Sequence, residues 1–357
     1  MILERFRRYL PSAIAVAIAI VLPVALFAAG DIPRTASGHP DLSGTYNAAT
    51  LTPLSRPAEF GENLYLTPDE AEKLAAAERD RNAEASSASD PNREAPPEGG
   101  DGSPGPAGNV GGYNNFWIDR GDDVFTVDGK FRTSIIIDPS NGQMPKMTTE
   151  GQARQAKFLQ TFFRQNKGTA WWVEKDAGAA GPYDDMEQRD NYERCILGFT
   201  GAAPTIPSLY NNYKAIVQTD DHVMILIEMV HDARIVRMSS EHPGPEVKKW
   251  LGDSIGWWEG DTLVVDTTNF HPKAAGFMGG TENAHVVERF TRQEDGNVLY
   301  NFTIKDDSYW EGAWTGEYVW RASAEKVYEY ACHEGNYALG NIMRGARLLE
   351  EEALAAK

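Results

Sequence analysis

The strongest constraint on this chain is a run of short β-patterned segments in its C-terminal half, separated by turn signals. Segments 213–218 and 223–230 flank Asp220-Asp221, and 254–258 and 262–266 flank Glu259-Gly260. Segments 286–291 and 298–304 flank Asp295-Gly296-Asn297, and 318–322 and 327–331 flank Ala324-Glu325. Strands this short, joined by turns this tight, pair antiparallel and bury one face by curling the sheet onto itself. The expected fold is therefore mainly β: an antiparallel β-barrel with peripheral α-helices. A parallel α/β sheet is excluded because helices do not alternate with the strands, and no fixed repeat length points to a propeller.

The 357 residues suffice for one large domain or two small ones, and 41% hydrophobic residues provide a real core. Residues 31–357 read as one domain. Before it, Arg5, Arg7 and Arg8 precede an apolar stretch, 13–29, interrupted by Pro23, and then Ala28, Ala29 and Gly30. That order reads as a signal peptide over residues 1–30. The alternative is an uncleaved anchor, for which the stretch is slightly shorter than the ~20 residues a bilayer needs. Either places the domain outside the cytoplasm, periplasmic or secreted.

Thr67-Pro68-Asp69-Glu70 carries the signals of a capped helix start, with the helix running to about Glu84. Residues 86–112, rich in Pro, Gly, Ser and charge, read as a flexible, disordered insertion. Residues 115–118 read as a strand, and 124–127 and 132–137 as a hairpin about Asp128-Gly129. Thr148 or Thr149 caps a helix to about Asn166, with an apolar stripe of Phe158, Leu159, Phe162 and Phe163. A short helix is expected over 245–251, ended by Gly252, and a last one over 338–356.

The formal net charge of −18 repels phosphate backbones and anionic lipid heads, so nucleic acid is not a partner. Membrane contact would come only through a retained N-terminal segment. Cys195 and Cys332 are the only cysteines. In an oxidising compartment they read as one disulfide, the alternative being two buried thiols.

Side-chain alternation along 223–232 puts Glu228 between Leu226 and Val230, where a carboxylate should be buried. Burial raises its pKa unless a cation such as Arg234 or Arg237 pairs with it. The chain then continues as His231-Asp232, while Cys332-His333-Glu334-Gly335-Asn336 follows another apparent strand. If the two strand ends meet, His231, Asp232, His333 and Glu334 form a cluster suited to proton transfer or to a divalent metal. The other reading is a structural hydrogen-bond network. Neither H-E-x-x-H nor C-x-x-C occurs, so no metal and no other cofactor is required, a divalent metal remaining the one cofactor left open. Gly252-Asp253-Ser254-Ile255-Gly256 has the letters of a nucleophile elbow, but it follows a helix and enters a strand, the reverse of the needed context. Tyr210-Asn211-Asn212 offers a phenol and two amides to a ligand, or simply a turn. The many tryptophans, among them Trp257, Trp258, Trp310, Trp314 and Trp320, either line a cavity or fill a large core.

The motifs Glu228-Met229-Val230-His231-Asp232-Ala233-Arg234, residues 260–270 (GDTLVVDTTNF) and residues 328–337 (YEYACHEGNY) resemble an uncharacterised family of exported bacterial proteins. Asp41-Leu42-Ser43-Gly44, residues 132–139 and Glu193-Arg194-Cys195 extend the resemblance over most of the mature chain. It implies export and no particular activity.

The expected function is that of an exported small-molecule enzyme using acid–base chemistry without a redox cofactor, of hydratase, isomerase, lyase or hydrolase type. Its ligand would be partly apolar, aromatic or terpenoid, held as in lipocalin-like barrels, an analogy that rests on strand pattern alone. Glu228, His231, Asp232, His333 and Glu334 would move protons, while Arg234, Tyr210, Asn211, Asn212 and Asn336 would hold the ligand. The alternatives are a binding protein without catalysis and a structural envelope protein. Converging His and carboxylate groups in a cavity favour the enzyme, an apolar cavity the binder, and an interior filled by the chain's own aromatics the structural role.

Overall fold

The computed structural model describes residues 32–86, 118–163, 183–274 and 281–356. The expectations for 1–30, for all but the first residue of the 86–112 insertion, and for most of 115–118 lie outside these residues. So do the side chains of Phe158, Phe162 and Phe163.

Nine strands close a barrel in the order β1 (Gly44–Asn47), β6 (Tyr213–Gln218), β7 (His222–Ile227), β8 (Ala233–Met238), β9 (Asp253–Glu259), β10 (Thr262–Thr268), β11 (His285–Arg292), β12 (Val298–Lys305) and β13 (Trp314–Ser323). β13 returns to β1 through Thr45↔Ser323 and Asn47↔Arg321. Every pair is antiparallel except β8 and β9, which run parallel. β5 (Ile136–Asp138) adds to the free stretch of β13. A small outer sheet joins β2 (Tyr65–Leu66), β4 (Lys130–Arg132) and β3 (Thr126–Val127); the turn at Asp128-Gly129 lies where expected, but β4 ends at Arg132 and the rest of the expected second strand, 132–137, goes instead to β5 of the barrel.

Alternation selects what faces inward. β12 and β13 send Tyr300, Phe302, Trp314, Tyr318 and Trp320 into the interior, all fully buried, with Phe290 from β11 packed against them. The interior is thus filled largely by the chain's own aromatic rings. One end is sealed by the segment leading into β1: His39 stacks on Trp258 at 4.8 Å, and Arg292 donates to the Asp41 carbonyl at 3.2 Å. The other end is capped by residues 198–212.

Among the described residues three α-helices lie outside the barrel. In α1 (Pro68–Ala85) Thr67 and Glu70 exchange the two bonds of a capping box, as expected. In α2 (Thr149–Phe163) the Thr148 hydroxyl accepts from the Gly151 N–H at 3.0 Å. α3 (Tyr337–Ala355) ends the described chain.

Three expectations are corrected. The strand through 223–232 ends at Ile227, and residues 228–232 form the turn into β8, with Val230 and His231 at positive φ. That turn has no Gly or Asn-Gly to announce it, so β8 was hidden in the sequence. Residues 327–331 form no strand: β12 occupies one side of β13, and β1 and β5 occupy the other, leaving nothing to pair with. Residues 245–251 form turns and not a helix, because Lys249 exchanges backbone hydrogen bonds with Asn269 and His271 instead of with its own preceding turn. Gly252 still takes the positive φ, +75°, foreseen for it.

Candidate functional site

The functional geometry gathers at the capped end of the barrel. Here β6 begins, β7 turns into β8, and residues 198–212 cover the opening. Thr205 anchors the cover: its N–H donates to the Tyr300 hydroxyl at 3.1 Å, and its carbonyl accepts from the Tyr318 hydroxyl at 3.0 Å. Asn212, buried, accepts from the Ser208 N–H and donates to the carbonyls of Ser208 and Asp119, so its amide is used up in bracing this cover. Asn211 sits at φ +53° and hydrogen-bonds the Glu228 carboxyl.

Beneath the cover is a charged network that sequence reasoning did not assemble. The Arg234 guanidinium binds both oxygens of Glu288 and reaches Thr267 at 3.3 Å. Tyr300 donates to the same carboxylate at 2.6 Å. Arg234 is therefore a barrel-interior cation committed to Glu288, and Arg237 pairs with Asp253 at 2.7 Å, so neither is the partner expected for Glu228. Burial pulls the Arg234 pKa down, but Glu288 outweighs it and the guanidinium stays protonated. Glu288 could have been suspected from its inward parity between Val286 and Phe290 on an alternating strand.

Glu228 is buried, as expected, but in the β7–β8 turn. Burial raises its pKa against hydrogen bonds from the Tyr213 and Tyr328 backbones and from Asn211. Asp232 is buried in the same turn. Its carboxylate accepts the Gly198 N–H at 2.7 Å, and burial pushes its pKa to about 7, opposed by that bond and by the charge of His231. The close approach depends on Gly201, where an added Cβ would lie 2.0 Å from the Asp232 carboxylate.

The proton-transfer cluster foreseen from sequence does not assemble. His231, His333 and Glu334 are exposed, and no hydrogen bond or ion pair joins any of them to one another or to Asp232 among the described residues. The physical reason is the missing strand at 327–331, which was to bring the two imidazoles together. Cys332 instead bonds Cys195, and Asn336 caps α3 through Leu339 while donating to the Glu193 carbonyl at 2.7 Å. Among the described residues no group of three or more His, Cys, Asp or Glu side chains is placed to hold a metal ion, and no helix is long and apolar enough to cross a membrane. Ser254, in the elbow-like letters, lies in β9 and shares a hydrogen bond with Thr267 at 2.8 Å.

A second unforeseen network lies on the outer face of the barrel. His242 bridges Asp253 at 2.8 Å and Asp266 at 3.0 Å, and His285 binds the other Asp266 oxygen at 2.7 Å. Burial would raise the Asp266 pKa, but His285 and His242 outweigh it and lower it. These bonds tie the 239–252 connection to the barrel.

Beside the cover lies a cleft of about 730 Å³. Its walls are mostly apolar: Leu54 and Ile135 from the barrel side, Phe199, Ile206 and Leu209 from the cover, and Leu74 and Ala77 from α1, whose paired Glu78 and Arg81 also line it. Tyr210, one of the residues expected to meet a ligand, lines it. Arg120 also lines it, with its Nη1 buried and without a hydrogen-bond partner. The neighbouring backbone fixes Arg120 there. Asp119 N–H donates to the Leu209 carbonyl at 2.7 Å, and Gly121, at φ +84°, passes so near Thr50 that a Cβ would lie 2.8 Å from its nitrogen. The size and the mostly apolar walls with a few polar groups match small-molecule sites.

Comparisons of the chain with family models, with curated proteins and with solved structures each found no match. The geometry must therefore carry the functional argument.

Proposed function

We propose that the protein is an exported binding protein for a small, mostly apolar molecule bearing an anionic group. The ligand lies in the cleft with its apolar body between Leu74 and Ile206 and its anion on Arg120. One observation carries this reading: a buried guanidinium nitrogen without a partner at the edge of an apolar cleft. Such a group left dry costs stability unless something accepts from it, and a carboxylate is the natural acceptor. The aromatic rings that fill most of the barrel argue against a ligand as large as a lipocalin's being enclosed there. The Cys195–Cys332 disulfide is compatible with an oxidising compartment.

The test is binding of a medium-chain fatty acid and an aromatic carboxylic acid, each beside its neutral methyl ester, followed by calorimetry and thermal shift. The acids should bind and raise the melting temperature. Arg120→Gln should weaken them about 10- to 100-fold while leaving the esters unchanged, from the worth of a charge-assisted hydrogen bond. Equal binding of acid and ester would sink the reading.

A second reading, acid–base catalysis, is favoured by one observation: Glu228 is held towards its protonated form at the barrel mouth by burial. Glu228→Gln should then abolish turnover of any bound ligand without lowering its affinity. Unaltered turnover would remove Glu228 from that role.

A further inference from the structure

Lys214 is the second residue of β6, on the inward parity shared with Ile216, and it is 1% exposed. A lysine is rarely buried this completely without a carboxylate bonded to it. Here the ammonium makes no hydrogen bond among the described residues. Its nitrogen stands 5.6 Å from the centre of the Trp320 ring. Glu228 favours its charge and Arg234 opposes it, while burial dominates and lowers its pKa to about 7. Glu288, the other interior carboxylate, is engaged by Arg234 and Tyr300. A further polar atom at this end of the barrel, Thr205 Oγ1, is also buried without a partner. An unpaired buried polar group in a native protein calls for an explanation, such as a ligand that pairs with it.

We propose that Lys214 is a nucleophilic amine that forms an imine with a small aldehyde or ketone admitted beneath the 198–212 cover. The site is separate from the cleft at Arg120, which Lys214 does not line. The amine nitrogen bonds to the carbonyl carbon and the C–O π bond breaks. The oxygen then leaves as water, taking the two protons the nitrogen gives up. Glu228 passes those protons from nitrogen to oxygen. The exchange is one amine and one carbonyl for one imine and one water, and it needs neither oxidant nor reductant. With burial lowering its pKa to about 7, Lys214 carries a large neutral fraction at physiological pH, and that fraction is competent as the nucleophile. Admission requires the cover to lift, which breaks the two hydrogen bonds that, among the described residues, hold Thr205 to the tyrosine hydroxyls beneath it.

The experiment treats the full chain with butanal and sodium cyanoborohydride at pH 6.5, then maps reductive alkylation by peptide mass spectrometry. Lys214 should be modified at least about tenfold faster than the exposed Lys130 and Lys326. Lys214→Arg, checked for folding by circular dichroism, should lose that labelling alone. A lysine buried only for packing would give the opposite order. Modification of Lys214 at a rate equal to or below that of Lys130 and Lys326 overturns the proposal, whatever the behaviour of the variant.

Discussion

Arg234 and Glu288 face each other across the barrel interior, joined by two hydrogen bonds, and neither side chain is more than 2% exposed. They come from strands that are not neighbours in the sheet, so the pair ties β8 to β11 through the interior. Removing one member leaves the other charged and dry, and that penalty exceeds the worth of the pair. Glu288→Leu or Arg234→Met should each destabilise by about 3–5 kcal/mol. The double variant Arg234→Met/Glu288→Leu should cost clearly less than the two added together. Urea denaturation of the four proteins measures this, and simple additivity would mean that the two groups act independently.

Asp232 predicts a pH dependence of stability. Burial raises its folded-state pKa to about 7, whereas in the unfolded chain it titrates near the ordinary value, about 4. Between those pH values the folded state holds a proton that the unfolded state has lost, so stability falls as pH rises through the window. Asp232→Asn keeps an acceptor for the Gly198 N–H and does not ionise. The variant should match the wild type near pH 4 and exceed it at pH 8 by about 1–3 kcal/mol. Parallel stability curves from pH 4 to pH 8 would count against a buried, protonated Asp232.

The same carboxylate sets the tolerance of the covering segment. Gly201 has no room for a methyl group, because the Cβ would also lie 2.7 Å from the Asp232 Cβ. Gly201→Ala should cost about 1–3 kcal/mol by forcing the segment off the turn. It should also speed amide hydrogen exchange at Thr205, whose N–H is held by Tyr300. If Gly201→Ala costs as much in an Asp232→Gly background, the clash lies elsewhere.

Cys195 and Cys332 are 137 residues apart in sequence, and their bond ties the chain before α3 to the segment that leads into the cover. Reduction should lower the melting temperature, corresponding to about 2–5 kcal/mol. Because Asn336 also donates to the Glu193 carbonyl in this corner, α3 should be the first helix to lose exchange protection after reduction. An unchanged melting point in reductant would argue against the bond in solution.

Much of the fold was legible because its signals are local. Turns such as Asp295-Gly296-Asn297 and Glu259-Gly260 lie where they were expected, and β6 has the expected limits, 213–218. The Thr67/Glu70 capping box was readable because all its atoms lie within one helical turn. The β7–β8 turn was not readable, since Val230 and His231 take positive φ without a residue type that favours it. The supposed strand at 327–331 failed for the converse reason: a β-like pattern forms a strand only where an edge is free.

The candidate site was legible only in part. Glu228 is buried as expected, but in a turn and not on the strand face that suggested it, and Tyr210 lines the cleft. Asn336 was misread as a ligand contact because an N-cap and a binding amide look alike in sequence. Arg234 was found, but its partner Glu288, 54 residues away, was not.

By itself, then, the sequence determined strand content, turn positions, helix caps and which side chains alternate inward, all set by interactions within a few residues of one another. Tertiary structure alone decided the parallel β8–β9 pair, the closure of β13 on β1, and the meeting of Lys214, Arg234, Glu288 and Thr205 at one end of the barrel. Those contacts join segments whose separation along the chain carries no energetic signature until the sheet closes and excludes water from between them.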